Sequence, residues 1–236
     1  MLTGKIAWVT GATGGVGPAV IKMLADAGAT VLASARNEAE IAALATEHGI
    51  PAQRWLALPV DLTDGAAVQA AVARGVARFG RIDILVAVAG TWRGGMTVAE
   101  TDPATLDLLW RVNVQTAFNA CRAVLPHMTA HGWGRIITFG ARAAVAGQAR
   151  SAAYAASKAA VLALTQSIAA EARGDGVTAN TLLPSTIDTP DNRAAMPAAD
   201  WSKWVSPEQI AATVRFLCSD EAAALSGAAI PLYARA

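Results

Sequence analysis

Tyr154 and Lys158 stand four residues apart in the stretch AAYAASKAAV, a spacing that places both on one face of a helix. An ammonium there can favour the phenolate and pull a tyrosine down from its ordinary pKa of roughly 10. A phenol tuned that way is a general acid or base near neutral pH. Taken alone the pair is a common coincidence, since a half-buried aromatic beside a solvated lysine has the same spacing on any alanine-rich helix. Its weight comes from the other end of the chain. The segment TGATGGVG carries Gly11, Gly15 and Gly17. Glycine lets the backbone turn tightly and lets a pyrophosphate approach the free N–H groups and positive dipole end of a helix. Pro18 suits the first turn of that helix, where a missing N–H costs little.

Such a turn between a first strand and a first helix points to a bound dinucleotide. The end of the second strand then bears on which one. An acidic residue there would bond the adenosine 2′-hydroxyl of NAD and repel a 2′-phosphate. The sequence LASARNE has Ala35 in that place and Arg36 next to it. A guanidinium suits a phosphate, so NADP(H) is favoured over NAD(H), although Gly14 supplies no second basic side chain.

Elements that would position these residues follow from the alternation of short β-rich runs with longer helical ones. Strands are expected at 6–9, 30–34, 55–60, 82–89, 135–139, 177–183 and 229–232. Helices are expected at 16–27, 38–48, 65–79, 103–131 (one helix or two), 152–173 and 207–218. Gly28, Gly49, Gly80 and Gly174 fall where helices should stop. This alternation predicts a single Rossmann-type α/β domain over 1–236, a doubly wound parallel sheet of about seven strands with helices on both faces. The extended irregular piece, 185–206, follows a strand. Loops at that end of such a sheet line the ligand crevice, so the piece is a candidate substrate lid.

Composition narrows the function classes. The chain has 236 residues, a formal net charge of +1 and 54% hydrophobic residues, much of this alanine. Near-neutral charge gives no electrostatic reason to expect nucleic acid or an anionic membrane. No apolar run reaches the roughly 18 residues of a spanning helix, and no signal-peptide pattern precedes the first strand. Cys121 and Cys218 lack metal spacing and read as reduced packing residues of a cytoplasmic protein. His48, His127 and His131 lie near expected helix ends and read as caps or surface residues, so no metal is expected. Trp8, Trp55, Trp110 and Trp133 read as core or helix-packing residues, while Trp201 and Trp204 divide between lid and surface.

The whole chain resembles the short-chain dehydrogenase/reductase family. The pieces that carry the resemblance are TGATGGVG, Asp61 in VDL, Ala89-Gly90 after the fourth strand, Asn113 in RVNVQ, Tyr154 with Lys158, Pro184 and Thr189 in LLPSTIDT, and Gly227. It implies that Tyr154 transfers the proton, that Lys158 binds the nicotinamide ribose and tunes Tyr154, and that Asn113 holds a relay water. It further implies that Thr13, Val16 and Leu62 join the glycines and Asp61 around the cofactor, and that Ile187 and Thr189 approach the carboxamide. Family members usually pair through two long helices, so a homodimer or homotetramer is implied as well. The departures are informative. Most members carry a serine thirteen residues before the tyrosine, where this chain has Ala141, followed by Arg142. The segment AVAGTWRGG replaces the common NNAG. Both features, with Trp92, Trp204 and LPSTIDTPDNRAAMPAADWSKW, resemble the dihydropteridine reductase branch, although Ala35 does not match that branch's acid.

Losing a donor to an oxyanion can cost about 3 kcal/mol in the transition state, and it matters less for a conjugated ring that spreads its own charge. Trp92 could supply a flat apolar wall for such a ring. The leading expectation is therefore an NADP(H)-dependent reductase of a conjugated C=N or quinonoid small molecule. A carbonyl reductase or alcohol dehydrogenase, with Arg142, Gln148 or Ser151 replacing the serine, is the alternative. A cofactor-binding regulator without turnover is a third, against which the joint presence of Asn113, Tyr154 and Lys158 argues.

Overall fold

Strand and helix alternate along the chain in the computed structural model, which describes residues 1–235. The first half runs β1 (Ile6–Thr10), α1 (Gly17–Asp26), β2 (Thr30–Ser34), α2 (Glu38–Glu47), β3 (Trp55–Ala57), α3 (Gly65–Phe79) and β4 (Ile84–Ala87). Then come α4 (Pro103–Leu109), α5 (Thr116–His131), β5 (Gly134–Phe139), α6 (Ala152–Glu171), β6 (Val177–Pro184), α7 (Pro190–Ala195), α8 (Pro207–Leu217) and β7 (Ala229–Leu232). All seven strands pair in parallel, in the order β3-β2-β1-β4-β5-β6-β7. The chain reverses its direction of growth between β1 and β4, which opens a crevice at their C-terminal ends.

Residue type alternates with the pleat. Ala7 and Val9 of β1 face the layer formed by α1, α2 and α8, whereas Ile6 and Trp8 face α3, α5 and α6. Both faces are covered, so the strands read as almost unbroken apolar runs. Trp8 is fully buried and its indole N–H donates to Ser34 Oγ at 2.8 Å, as a core role requires.

Helix starts follow their caps. Asn37 caps α2, Asp64 caps α3, Asp102 caps α4, and Ser206 forms a capping box with Gln209 on α8. No side chain caps α1 at the end of the glycine loop; the Gly17 N–H donates to the Gly14 carbonyl at 3.1 Å.

Of the two readings open for 103–131, the structure has two helices joined by a π-helical turn, Trp110–Gln115. Three expectations are corrected. Trp110 begins that turn and is 51% exposed, so it is not a core residue. The strand expected at 55–60 ends at Ala57, where Leu58 and Val60 bond β2 and its extension without continuing a ladder. Segment 185–206 is structured: it holds α7, a 3-10 turn at Trp201–Lys203 and a parallel bridge from Ile187 to Val205. A bidentate Arg193–Asp188 pair at 2.5 and 2.7 Å fastens it internally.

Candidate active site

The glycine loop is pressed against its surroundings. Gly11 has φ +64, and a Cβ there would lie 2.8 Å from Ala89 N at the end of β4. A Cβ on Gly15 would lie 2.5 Å from Thr189 Cγ2, so the segment after β6 roofs the loop. Gly17 opens α1 with its α-carbon against the Ala12 carbonyl, and Val16 is the buried N-cap. Thr13 lies half-buried between them. Only glycine fits these approaches, and they leave an uncapped helix end facing the crevice. A pyrophosphate fits this arrangement.

Residues expected around the adenosine lie at the ends of β2 and β3. Arg36 is exposed immediately after β2. Asp61 accepts from Thr63 N and Oγ1 at 2.9 and 2.8 Å, and these bonds first, with the Arg36 and Arg111 charges adding to them, hold its carboxyl below the usual range. Leu62 is buried, its carbonyl accepting from Asn119 Nδ2 at 2.9 Å.

The polar centre forms where α6, the π turn and the loop after β4 meet. Asn113, in the π turn, is buried and fully engaged. Its Oδ1 accepts from Thr91 N at 2.7 Å, while Nδ2 donates to Thr91 O and to Ser157 Oγ, each at 3.0 Å. Ser157 Oγ in turn donates to the Tyr154 carbonyl at 2.8 Å. Lys158 Nζ is buried and donates to the Phe139 carbonyl, at the end of β5, at 2.9 Å. A Cβ on Gly90 would lie 2.9 Å from Asn113 Oδ1 and 3.0 Å from Lys158 Nζ, so these groups converge on one point. Ser157, Thr91 and the Phe139 carbonyl have no motif of their own in the sequence. Ser157 was in principle readable as the hydroxyl one turn after Tyr154.

The electrostatics differ from the sequence expectation. Burial pushes the Tyr154 phenol up to about 12 and pushes Lys158 down to about 8. The ammonium lies 6.0 Å from the tyrosine ring centroid and spends a proton on Phe139. Desolvation therefore wins over the expected pull on the phenol.

Other candidates are distributed around this centre. Ala141 is buried in extended backbone at the head of a 3-10 turn. The Arg142 guanidinium lies 5.3 Å from the Tyr233 ring centroid, and Gln148 is exposed. Trp92 is 59% exposed on the loop after β4 with its ring against Gly94; Trp204 is half-buried in segment 185–206. Pro184 ends β6, and the Ile187 carbonyl accepts from Asn192 Nδ2 at 2.8 Å. A separate cleft of about 560 Å³, lined in part by Arg135, Gln166, Arg173 and Thr178, opens at the opposite edge of the sheet. There Arg135 is taken up by the Gly134 and Gly176 carbonyls. Among the described residues no cluster suited to a metal ion occurs, and no helix is long and apolar enough to cross a membrane.

Comparison with known proteins agrees with this geometry. Residues 5–200 match the family described as short chain dehydrogenase. The chain is 35% identical to D-threitol dehydrogenase of Mycolicibacterium smegmatis, covering 96% of this chain and 90% of that protein. It is likewise 35% identical to 3-oxoacyl-(acyl-carrier-protein) reductase of Vibrio harveyi, covering 96% and 94%. A crystal structure of 3-ketoacyl-(acyl-carrier-protein) reductase from Brucella melitensis complexed with NADH superposes with a TM-score of 0.87. That match has 29% identity over 98% of this chain and 97% of the other.

Proposed function

The chain belongs to the short-chain dehydrogenase family, and from that premise we propose that it is an NADP(H)-dependent reductase of a ketone or aldehyde carbonyl on a small molecule. The coarser statement, an NAD(P)-dependent oxidoreductase, follows from the family. The relatives' names, a polyol dehydrogenase and oxoacyl reductases, favour carbonyl and alcohol carbons over a pteridine ring. The observation that carries the reading is the convergence of Lys158, Asn113 and Gly90 beside the glycine loop and one helical turn from Tyr154.

Gly11, Gly15, Gly17 and the open end of α1 would hold the pyrophosphate, Arg36 and Asp61 would flank the adenosine, and Ile187 and Thr189 would meet the carboxamide. When bound, the nicotinamide supplies the hydride. Tyr154, held protonated by burial, gives its phenolic proton to the substrate oxygen. Lys158, with Nζ 6.0 Å from the tyrosine ring centroid, would offset the charge left as the phenol empties. The Asn113 side chain is fully engaged, so it ties the loop after β4 to α6, and any relay water falls to its main chain. The exposed Leu106, Trp110 and Phe118 recur at helical spacing on α4, the π turn and α5. They support pairing with a second copy of the chain. Buried, unpaired Cys121 and Cys218 support a cytoplasmic setting.

A second reading, reduction of a quinonoid or conjugated C=N ring, is favoured by one observation: Ala141 offers no hydroxyl to a localised oxyanion. Steady-state oxidation of NADPH with a panel of ketones beside a quinonoid dihydropterin separates the two. Ketone turnover should dominate; turnover confined to the dihydropterin would reverse the order, and binding without turnover on either would leave a cofactor-binding regulator. In the same assay Arg36→Ala should weaken NADPH and scarcely affect NADH, because only the former carries the 2′-phosphate that a guanidinium grips. Equal losses would overturn the cofactor assignment.

A further inference from the structure

Arg150 is one of two described non-glycine residues with positive φ, at +61°, a backbone region that side-chain-bearing residues rarely enter. Glycine would adopt it freely, so the arginine side chain should have a use. Its contacts supply one. Arg150 Nε donates to the Gly95 carbonyl at 2.7 Å, and the Arg150 carbonyl accepts from Gly95 N–H at 2.7 Å. This reciprocal pair joins two segments far apart in sequence. Arg150 Nη2 also lies 3.6 Å from Glu100 Oε2, and that oxygen accepts from Thr97 N and Oγ1 at 2.8 and 2.9 Å. The ion pair is exposed and adds little by itself; the two-way bond to Gly95 fixes the geometry. A small pocket lined in part by Gly94, Thr101, Arg150 and Ser151 lies along the seam between the segments.

What the seam joins gives it consequence. On one side is the loop after β4, where the Trp92 ring rests on Gly94 and Gly94 in turn packs against the Arg150 carbonyl. On the other side Arg150 directly precedes Ser151, the N-cap of α6, and Tyr154 lies in that helix's first turn. We propose that Arg150 is a positioning residue that clasps the Trp92 loop to the entrance of α6, thereby setting the width of the substrate cleft above Tyr154. A bulky substrate needs that loop in place as a wall; a small one touches it little. The inference rests on the reductase reading for its kinetic consequence, while the clasp itself can be measured without turnover.

The test compares Arg150→Gly, Arg150→Ala and Arg150→Lys. Glycine removes the side chain and relieves the backbone, alanine removes the side chain and keeps the strain, and lysine cannot serve Gly95 and Glu100 together as the planar fork does. In hydrogen exchange on the cofactor-free protein, residues 91–101 should exchange about tenfold faster in the glycine and alanine variants, in keeping with loss of a local tie. Thermal stability should separate them, with glycine above alanine. In kinetics KM for a bulky cyclic ketone should rise about tenfold with kcat nearly unchanged, KM for acetone-sized substrates should hold, and NADPH affinity should stay constant; this is the pattern of lost ground-state positioning. Lysine should restore part of the KM. Wild-type exchange and KM in Arg150→Gly would overturn the proposal. Faster exchange in a protein that turns over none of the substrates would keep the clasp and defeat the reductase reading instead.

Discussion

Burial acts on the two titrating side chains of the site in opposite senses, and both effects disfavour charge. Tyr154 is held protonated and Lys158 is brought to about 8, so the cofactor-free site is disposed to give a proton more than to take one. Tyr154→Phe should lower turnover by at least about a hundredfold, since general acid catalysis contributes 10²–10⁴, with NADPH binding retained in a fluorescence titration. Near-wild-type turnover would reduce Tyr154 to packing. Ala141 permits a complementary experiment. Its buried methyl stands at the end of β5, so Ala141→Ser adds a hydroxyl with little added volume. The change should raise kcat/KM for ketones more than for a quinonoid ring, because only a localised oxyanion lacks a donor. Equal effects on both would break the link between the missing serine and the substrate.

Elements hold these side chains through contacts that differ in how plainly they are written. Beneath the site, Thr138 Oγ1 of β5 bonds Thr165 Oγ1 of α6 at 2.8 Å and Thr181 Oγ1 of β6 at 2.9 Å, all fully buried. Thr138→Val keeps the shape and strands a partner hydroxyl, so unfolding should become easier by about 1–3 kcal/mol. Urea denaturation measures this; an unchanged midpoint would mean that the neighbours re-pair. The parallel seven-stranded sheet, the longer helices and the glycine loop were legible because periodicity and glycine placement act locally. The π turn was not, since the widening at Asn113 comes from tertiary bonds to Thr91 and Ser157 that no local pattern encodes. The order within 185–206 is likewise hidden from local pattern, because α7 is short and Val205, the bridge partner of Ile187, lies beyond the turn. The direction of the Tyr154 shift was missed for a related reason: spacing reveals who is adjacent, whereas burial depends on the whole fold.

At the scale of the molecule, keeping an ammonium inside the fold has a cost that varies with pH. Lys158 falls from 10.5 to about 8 on folding, so between those values the unfolded chain binds more protons and stability rises with pH. The slope from this one group approaches about 1.4 kcal/mol per pH unit within the window, and its contribution is lost as pH falls through 8. Tyr154 works the other way only above pH 10. Urea midpoints at pH 7.5 and 9.5 should therefore diverge more in the wild type than in Lys158→Met. Parallel changes would mean that water reaches the ammonium. A different consequence attaches to the Gly15–Thr189 contact, in which the roof of the first loop comes from the segment after the sixth strand. Contacts between segments so distant in sequence reward the chain late, after most loop closure is complete. A ribosome-bound chain that has emerged only as far as β5 carries every glycine of the loop and still lacks its cover. The cover of the dinucleotide loop thus arrives in the last stage of synthesis, and an NAD(P) cofactor is a ligand of the finished chain rather than a template for the growing one.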